Sequence, residues 1–374
     1  MGESPAHERI GVIMAGGVGE RFWPVSRPKR PKQLLPLGPG GRTLLEATAS
    51  RIGKALGRQR LLIVTGRPLR RPILDAGLPL GEAQVVAEPA KRNTMGAVAW
   101  ATAWTLGRLG LAADTTMAVT PADQHVGDEA AFSRDLQVAM AAAEELDALV
   151  TIGIEPTRPE TGYGYIEAED APLTLQTVDA GDSLRRVARF CEKPDPDTAH
   201  QFLHSGRFLW NSGMFFWRIS SLLAELERAN EEVASATRAM AEALADGDQV
   251  GAERLFAELP NTSVDYALME RAEQVLVVRG SFPWDDIGAW DAWRRVSETD
   301  ERGNTTHGEP MLIDCDDCAV YEELQGVPVA VIGMTSVVVA VSEGGVLVAP
   351  LERAQEVRDV VQARRHDDCG GSDQ

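Results

Sequence analysis

The chain has 374 residues, 44% of them apolar and 25% charged, which is the composition of a folded protein with two domains or one large domain and an appendage. Its formal net charge is −19, and no part of the sequence forms a basic stripe. Because phosphate neutralisation supplies most of the affinity for double-stranded nucleic acid, this charge excludes nucleic acid as a partner.

No segment of the sequence is expected to enter a membrane. Residues 1–9 are short and polar, and the apolar stretch that follows is only as long as a strand. No apolar run approaches the roughly 18 residues that a spanning helix needs. We therefore expect a cytoplasmic protein without a signal peptide and without a membrane partner.

The cysteines do not indicate a disulfide framework or a metal site. They are too few and too scattered for a framework in a chain of this size: Cys191, Cys315, Cys318 and Cys369. Cys315 and Cys318 have the spacing of half a zinc site, but no second Cys or His pair matches them. We interpret the segment between them as a turn.

The first part of the chain alternates short apolar runs with longer amphipathic segments. Five runs rich in Val, Ile and Leu are predicted strands: Arg9–Ala15, Arg60–Thr65, Ala83–Ala87, Thr115–Thr120 and Ala148–Ile152. Three segments with helical apolar spacing lie between them: Thr43–Leu56, Asn93–Leu109 and Glu129–Leu146. This alternation predicts an α/β fold with a doubly wound, mostly parallel sheet. Ligands of such sheets bind at the carboxyl ends of the strands.

The pattern changes in the second part of the chain. Thr161–Arg218 is predicted to form shorter strands with Gly and Pro turns, and Glu225–Leu259 is a helical stretch. Five closely spaced strands and a helix follow: Met311–Asp314, Ala319–Tyr321, Pro328–Ile332, Ser336–Val341, Val346–Ala349 and Glu352–Arg365. We predict a large domain over residues 1–296, a small β-rich domain over 297–366 and a loose tail over 367–374. The small domain has too little core of its own, so it must pack on the large domain, on a second subunit or on both.

A glycine-rich turn follows the first predicted strand. Gly16, Gly17 and Gly19 let the backbone approach a ligand closely, and consecutive N–H groups there can hold phosphate oxygens. Basic residues follow closely in this acidic protein: Arg21, Arg27, Lys29, Arg30 and Lys32. This local positive charge suits a triphosphate.

Two other phosphate-binding loops are excluded by the residues after the glycines. A dinucleotide-binding Gly-x-Gly-x-x-Gly loop opens directly into a helix, whereas Phe22 stands at the third glycine position and prolines follow at Pro24, Pro28 and Pro31. The prolines therefore argue against a nicotinamide-dependent oxidoreductase. A Walker A loop needs Gly-Lys-Ser/Thr, which is absent, and a simple tight turn would leave the basic residues unexplained.

The whole segment, Ala-Gly-Gly-x-Gly-x-Arg with Trp-Pro-x-Ser-Arg and Pro-Lys-Gln, resembles the signature of the sugar-phosphate nucleotidyltransferases. Within them it resembles the mannose-1-phosphate guanylyltransferases, or GDP-mannose pyrophosphorylases. The likeness continues in order along nearly the whole chain: Glu88–Thr94, Pro121–Asp123, Thr161–Ile166, Glu192–Pro194, Trp210–Gly213, Ser263–Tyr266, Trp284–Trp290 and Leu347–Arg358.

The resemblance implies an enzyme that transfers the guanylyl group of GTP to mannose 1-phosphate, giving GDP-mannose and pyrophosphate. Two polyanions must be brought together, so catalysis depends on charge neutralisation and positioning. The resemblance also implies a homodimer, since related enzymes often assemble through C-terminal domains of this kind. Two alternatives remain open: another sugar-1-phosphate nucleotidyltransferase, or a non-catalytic regulatory subunit of the same fold.

The resemblance assigns catalysis to four residues: Arg21, Lys32, Asp123 and Asp286. Arg21 and Lys32 would stabilise the α-phosphate and the leaving pyrophosphate. Asp123 and Asp286 would hold Mg²⁺ or another divalent cation, which prefers hard oxygen ligands, and Asp285 is interpreted as a variable neighbour. Without the resemblance, the cations would be interpreted as surface charges and the aspartates as turn or cap residues.

The resemblance also assigns the two substrate sites. The residues for the nucleotide are Ala15, Gly16, Gly17, Gly19, Glu88, Asn93, Thr94 and Pro121. The residues for the sugar phosphate are Gly162, Tyr163, Gly164, Glu192, Lys193 and Asn211. Asn93 is also a candidate helix N-cap, and Tyr163 is equally a candidate packing residue.

Several conspicuous side chains receive no role in catalysis. Trp284, Trp290 and Trp293 are interpreted as core residues. The family pattern Ala-Asp-His continues here as Gln124 and His125 after the aspartate. Neither of these two residues is assigned to the site.

Overall fold

The computed structural model describes residues 8–370, with side chains described through Arg364. The strands are β1 Arg9–Met14, β2 Leu61–Gly66, β3 Val85–Glu88, β4 Thr116–Pro121, β5 His125–Val126, β6 Leu149–Ile154, β7 Gly164–Pro172, β8 Leu184–Glu192, β9 Phe208–Arg218, β10 Val275–Arg279, β11 Trp284–Asp285, β12 Thr305–His307, β13 Met311–Ile313, β14 Ala319–Glu322, β15 Ala330–Ile332, β16 Val337–Ser342 and β17 Gly345–Pro350. The helices are α1 Leu44–Leu56, α2 Arg67–Asp75, α3 Asn93–Ala103, α4 Glu129–Leu146, α5 Pro196–Ser205, α6 Ile219–Ala229, α7 Glu231–Ala245, α8 Gln249–Glu258, α9 Trp290–Val296 and α10 Val357–Gly370.

The predicted strands and helices of the first part of the chain are confirmed, with small shifts at their ends. α1 begins where the Thr43 hydroxyl accepts from the Glu46 N–H, and it ends at Gly57, whose φ is 92°. α4 begins where the Asp128 carboxylate accepts from N–H groups of the first turn. α3 continues into a π-helical turn over Trp104–Arg108. Local capping residues therefore set these boundaries.

One nine-stranded sheet forms the centre of the large domain, in the order β3-β2-β1-β4-β9-β6-β10-β8-β7. β3, β2, β1 and β4 are mutually parallel, as predicted. β9 lies antiparallel between β4 and β6, and β7 and β8 form an antiparallel pair. The fold class is confirmed, but the sheet is mixed rather than mostly parallel. β7 and β8 are consecutive strands, whereas β9 pairs with strands that are distant from it in sequence.

Helices cover both faces of this sheet, as a doubly wound fold requires. Ile10 and Val12 of β1 join a core cluster with α3, α6, α7 and α8 on one face. Ile13 of the same strand points to the opposite face, where it joins a cluster with α1 and α2. Alternate residues of one strand thus enter two cores, which explains why the strand is apolar throughout.

The C-terminal domain is β-rich, as predicted. Its strands pair mostly in parallel and form a coil. β12, β14 and β16 pair in parallel, and β13 pairs in parallel with β15. Only β17 runs antiparallel within this domain, as the partner of β16. Cys315 and Cys318 are buried inside the coil with Val320 and Val339. The segment between the cysteines turns at Asp317, whose φ is 56°.

The C-terminal domain shares a core with the large domain. Apolar side chains of both domains form one buried cluster, which includes Phe22, Trp290, Trp293, Tyr321 and Leu347. The Trp290 ring centroid lies 4.9 Å from that of Phe22 and 5.5 Å from that of Tyr321. The small domain therefore packs on the segment that follows the glycine-rich turn.

The loose tail predicted over residues 367–374 is wrong for its first residues. α10 continues to Gly370, because no glycine or proline interrupts the chain between Val357 and that residue. Residues 371–374 lie outside the described part of the chain. Among the helices within residues 8–370, none combines the length and apolar content of a bilayer-spanning helix.

Candidate active site

The glycine-rich turn begins where β1 ends. The buried Ala15 carbonyl accepts from Thr65 Oγ1 at 2.8 Å and from Gln33 Nε2 at 3.0 Å. Gly16 and Gly17 follow as exposed residues, and a side chain built at either would meet no atom within 4 Å. The turn is therefore anchored at its base and open at its tip, as phosphate binding by backbone N–H groups requires.

Gly19 and Lys32 are in direct contact at the end of this turn. Gly19 has a φ of 71°, and a Cβ there would lie 2.3 Å from Lys32 Cβ. The Lys32 N–H donates to the Val18 carbonyl at 3.0 Å, and the Lys32 side chain is only 7% exposed. Glycine at position 19 is therefore required by the packing of the lysine as well as by the backbone conformation.

We expect Gly19→Ala to lower the free energy of unfolding by about 2–4 kcal/mol, since left-handed alanine and a clash with Lys32 both cost stability. Turnover should fall as well, because Lys32 moves. Thermal unfolding and a pyrophosphate-release assay measure the two effects. Gly40→Ala is the matched control, since Gly40 has a φ of 65° and open space around it. Equal losses in both variants would contradict the importance of the lysine contact.

A short two-stranded ladder brings Asp123 and Asp286 together. β5 pairs antiparallel with β11, so that Asp285 lies opposite His125. Asp123 lies between the carboxyl end of β4 and β5, and Asp286 directly follows β11. The Lys32 ammonium lies 2.9 Å from Asp123 Oδ2 and 2.5 Å from the Asp286 carbonyl oxygen. Three of the four predicted catalytic residues therefore meet at one edge of the sheet.

The Asp286 side chain is half-buried, and its carboxyl is held by a tyrosine. Its Oδ1 accepts from the Tyr163 hydroxyl at 2.6 Å. Burial raises the pKa of Asp286, although the charge of Lys32 and the Tyr163 hydrogen bond act in the opposite direction. The next residue, Ile287, has a φ of 45°, which β-branched residues rarely adopt. Such backbone strain is typical of functional sites.

The two carboxylates suit a magnesium ion that receives further ligands from a substrate. Protein sites usually hold Mg²⁺ through one or two carboxylates, with phosphate oxygens and water as the other ligands. Within residues 8–370, no group of three or more His, Cys, Asp or Glu side chains is arranged to hold a metal ion. Asp123 and Asp286 would thus supply part of the coordination, and the metal itself stays a prediction.

The basic residues after the turn divide into two groups. Arg27 pairs with Glu343 at 2.8 Å and Arg30 pairs with Glu323 at 2.6 Å, and both acids belong to the C-terminal domain. Arg27 and Arg30 therefore have acidic partners in the C-terminal domain, and their part in a triphosphate site stays a prediction. Arg21 Nε is buried without a hydrogen-bond partner in the described residues, so Arg21 remains a candidate phosphate ligand.

Two predicted nucleotide residues are the last residues of two parallel strands in the central sheet, which β2 and β1 separate. Glu88 is the last residue of β3, and Pro121 is the last residue of β4, where it pairs with Met14 of β1. Burial alone raises the pKa of the Glu88 carboxyl to about 7. A buried carboxyl of this kind at a strand end is typical of a binding site.

Asn93 and Thr94 begin α3 at the same edge of the sheet. Asn93 has a left-handed φ of 59°, and its Oδ1 accepts from the Thr94 N–H at 2.8 Å. Arg92, not Asn93, stands at the N-cap position, so the capping interpretation of Asn93 is wrong. Thr94 Oγ1 accepts from the Val264 N–H at 2.9 Å. Thr94 therefore ties the nucleotide side of the site to the segment Ser263–Tyr266.

Glu88→Gln is expected to stabilise the protein at alkaline pH. The folded-state pKa of Glu88 is raised from 4.5 to about 7, so its contribution to stability is complete below pH 4.5 and is lost as the pH rises through about 7. Glutamine removes that loss. The melting temperature of the variant should exceed that of the wild type at pH 8, and the difference should shrink at pH 5. A variant that is less stable than the wild type at pH 8 would contradict this.

The predicted sugar-phosphate residues lie on β7, β8 and β9 and in the loops beside β7 and β8. Gly164 lies opposite Glu192, and a Cβ at Gly164 would lie 2.6 Å from Glu192 Oε2. The Lys193 ammonium pairs with Glu192 at 2.6 Å, and Lys193 has a φ of 44°. Exposed Gly162 donates its N–H to Glu160 at 3.1 Å. Gly164 thus lets β7 pass close to the Glu192 carboxylate, and the sugar contacts of this segment stay a prediction.

Asn211 contacts Asp265, a residue that was not predicted from the sequence to belong to the site. Its amide donates to Asp265 Oδ1 at 2.8 Å, and its Oδ1 accepts from the Gly213 N–H at 3.0 Å. Burial raises the pKa of Asp265, and Glu192 and Lys193 both act on it electrostatically. Asp265 therefore belongs to the sugar side of the site. Its position in the Ser263–Tyr266 motif was the signal that could have identified it.

Asp285 anchors the turn before Asp286. Its side chain is 3% exposed and pairs with Arg295 at 2.9 Å and with Arg158 at 3.5 Å. Its Oδ1 also accepts from the Ile287 N–H at 2.9 Å. This role was not predicted, because the spacing of a motif does not report which of two adjacent aspartates is buried. Asp285 fixes the turn that presents Asp286.

Gln124, which has no role in the sequence analysis, connects three parts of the site. Its Nε2 donates to the Ser212 carbonyl at 2.5 Å, and its Oε1 accepts from Trp284 Nε1 at 3.0 Å. It therefore holds the loop of Asp123 against β9 and β11. Trp284 is buried, as predicted for a core residue.

Comparison with known families decides what this site belongs to. Residues 10–303 match the model of the Nucleotidyl transferase family, and residues 308–363 match the MannoseP isomerase/GMP-like beta-helix domain. The chain belongs to the nucleotidyl transferase family. The family resemblance, the fold class and the enzyme class predicted from the sequence are thereby confirmed. The second match agrees with the parallel coil of the C-terminal domain.

Relatives of this nucleotidyl transferase cover almost the whole chain. The Xanthan biosynthesis protein XanB of Xanthomonas campestris is 38% identical over 354 residues, which are 94% of this chain and 72% of that protein. The Mannose-1-phosphate guanylyltransferase of Salmonella montevideo is 36% identical over 355 residues, 94% of this chain and 73% of that protein. A Thermus thermophilus crystal structure described as a mannose-1-phosphate geranyltransferase superposes with a TM-score of 0.83 and 35% identity, over 96% of this chain and 99% of that chain.

Proposed function

We propose that this nucleotidyl transferase is a mannose-1-phosphate guanylyltransferase, which converts GTP and mannose 1-phosphate to GDP-mannose and pyrophosphate. The observation that carries the proposal is the meeting of Lys32, Asp123 and Asp286 beside the glycine-rich turn. The choice of base and sugar is supported by relatives that bear this name at 35–36% identity. The reaction is that predicted from the sequence.

The chemistry requires two anions to react. An oxygen of the sugar phosphate forms a bond to the α-phosphorus of GTP, and the bond from that phosphorus to the departing pyrophosphate breaks. Both reacting oxygens are anionic, so no proton has to move. Arg21 and Lys32 neutralise the growing negative charge, and Lys32 is held for this task by Asp123 and by the Asp286 carbonyl.

A magnesium ion would be held by Asp123 and Asp286, where it supplies further charge stabilisation for the phosphates. The residues of this chain set the geometry around it. Lys32 lies between the two acidic residues, and the Tyr163 hydroxyl fixes one oxygen of Asp286. The donor set is small, which suits a cation that shares its other positions with phosphate oxygens.

The nucleotide would lie across the carboxyl ends of β1, β3 and β4. Gly16 and Gly17 offer backbone N–H groups to its phosphates. The Glu88 carboxyl can accept hydrogen bonds from N–H groups of guanine when it is ionised. Because its pKa is about 7, the affinity for GTP should weaken as the pH falls below that value.

A pyrophosphate-release assay with four nucleoside triphosphates and several sugar 1-phosphates tests the proposal. The expected result is the highest kcat/KM for GTP with mannose 1-phosphate. A higher value for another pair would establish a different sugar-1-phosphate nucleotidyltransferase. The absence of turnover with every pair, in a folded protein, would favour the regulatory-subunit alternative.

The proposal includes a cytoplasmic homodimer that assembles through the C-terminal domain. Met311 and Ile313 on β13 and Ile332 on β15 are 53–63% exposed on the two paired strands of this domain. An exposed apolar face of this kind is typical of an interface. Sedimentation of the full chain tests it: the mass of one subunit at micromolar concentration would reject the dimer.

A further inference from the structure

The Tyr163 side chain packs among aromatic rings beside Asp286. Its ring centroid lies 5.2 Å from that of Trp210 and 5.5 Å from that of Trp284, both in edge-to-face geometry. Its hydroxyl lies 2.6 Å from Asp286 Oδ1. Packing thus limits the movement of the ring, and the position of the hydroxyl is set by rigid neighbours.

Arg158 determines the direction of the hydrogen bond from Tyr163. Its Nη2 lies 3.2 Å from the tyrosine hydroxyl and 3.5 Å from Asp285 Oδ2, and its guanidinium lies 4.9 Å above the Trp210 ring. A guanidinium can only donate, so the tyrosine oxygen accepts from Arg158. The tyrosine proton is then free to be donated to Asp286.

The hydrogen bond makes the two oxygens of the Asp286 carboxyl different. Oδ1 accepts the hydrogen bond of the Tyr163 hydroxyl, whereas no hydrogen bond to Oδ2 is found within the described residues 8–370. A Cβ at Gly288 would lie 3.1 Å from Oδ2 and 3.2 Å from Oδ1, so glycine at this position leaves room for the whole carboxyl. The carboxyl is therefore held with one oxygen anchored and the other available.

We propose that Tyr163 and Arg158 are positioning residues that orient Asp286 so that its Oδ2 faces a divalent cation. The inference rests on the metal site of the proposed function. It differs from the assignment of Tyr163 to the sugar phosphate, since the hydroxyl acts on the metal carboxylate. It also joins the sugar segment Gly162–Gly164 to the metal site through one side chain.

Tyr163→Phe tests the proposal against a matched control in the same segment. Tyr165→Phe also removes one hydroxyl, but that hydroxyl bonds to the Glu160 carbonyl at 2.9 Å and does not contact Asp286. Mn²⁺ is titrated calorimetrically into each purified protein without substrates. We expect Tyr163→Phe to bind Mn²⁺ about tenfold more weakly than the wild type, because partners that orient a metal ligand contribute on this scale. Tyr165→Phe should bind like the wild type.

Activity provides a second measurement. Tyr163→Phe should need about tenfold more Mg²⁺ for half-maximal turnover than the wild type, whereas Tyr165→Phe should need the wild-type concentration. Loss of kcat with unchanged metal dependence would overturn the proposal. So would equal Mn²⁺ affinity in the two phenylalanine variants.

Two results separate this inference from the proposed function. If the wild type binds Mn²⁺ and Tyr163→Phe binds it equally well, only the positioning role fails. If the wild type binds no Mn²⁺ and needs no metal for turnover, the metal site fails and the positioning role with it. Should Tyr163→Phe not fold, Arg158→Lys is measured instead. It removes the fork that contacts Tyr163 and should weaken Mn²⁺ binding in the same direction.

Discussion

Asp286→Asn is expected to lower kcat at least about a hundredfold while the melting temperature changes little. Asp286 contacts Lys32 and Tyr163, and in the proposed reaction its carboxylate would stabilise charge at the reacting phosphate. Burial disfavours its charged form, so a neutral amide of the same shape costs the fold little. Turnover at saturating Mg²⁺ and thermal unfolding are the two measurements.

The neighbouring aspartate provides the matched control for this variant. Asp285 is buried in ion pairs with Arg295 and Arg158, so Asp285→Asn should cost about 1–3 kcal/mol of unfolding free energy. Asp286→Asn should therefore lower mainly kcat, whereas Asp285→Asn should lower mainly the stability of the protein. Wild-type turnover by Asp286→Asn at saturating Mg²⁺ would show that its catalytic assignment is wrong.

Truncation after Val296 is expected to abolish turnover and to cause aggregation. The cut removes the part of the shared core that covers Phe22, Trp290 and Trp293. It also removes Glu323, the partner of Arg30. Although the phosphate-binding residues stay in the chain, the segment that carries them loses its support and apolar surface is exposed. Size-exclusion chromatography and the pyrophosphate assay measure both effects.

Two neighbouring residues of β17 test the same interface without a truncation. Leu347 is 7% exposed in the shared core, whereas Val348 is 62% exposed. Leu347→Ala should destabilise the protein by about 2–4 kcal/mol, and Val348→Ala should have little effect. A monodisperse, active protein that ends at Val296, with the oligomeric state of the full chain, would contradict the role of the C-terminal domain.

Much of the large domain could be predicted from the sequence because its signals are local. β1 was predicted over Arg9–Ala15 and is found over Arg9–Met14, and the helix predicted over Glu129–Leu146 has those bounds. Hydrophobic period and strand length decide such elements. The antiparallel insertion of β9 depends on partner strands distant in sequence, and the local hydrophobic period carries no information about such partners.

The C-terminal coil could not be predicted for a related reason. Its parallel pairs join Thr305 to Ala319 and Ala319 to Val338, without a repeated sequence between them. Closely spaced apolar strands are equally consistent with a meander, which local contacts favour. The strands could be predicted, but their pairing is a tertiary property.

The residues of the candidate site could be predicted where a motif follows the end of a strand. The ion pairs that its basic residues form could not be predicted. Lys32 and Asp123 were singled out, and they meet at 2.9 Å. The pairing of Arg27 and Arg30 with the C-terminal domain was missed, because positive charge alone does not indicate which anion neutralises it. Contacts between segments distant in sequence decide such cases, and a single sequence does not report them.

The tip of the β16–β17 hairpin packs against the segment that follows the glycine-rich turn. This packing leaves no room for a side chain at the two glycines of the tip. A Cβ at Gly344 would lie 2.2 Å from the Pro24 carbonyl oxygen, and one at Gly345 would lie 3.1 Å from the Trp23 ring. The Ser342 hydroxyl donates to the same Pro24 carbonyl at 2.8 Å. The two domains are therefore not exchangeable modules. A chimera with another protein's C-terminal domain would also need that protein's loop, which packs against the domain.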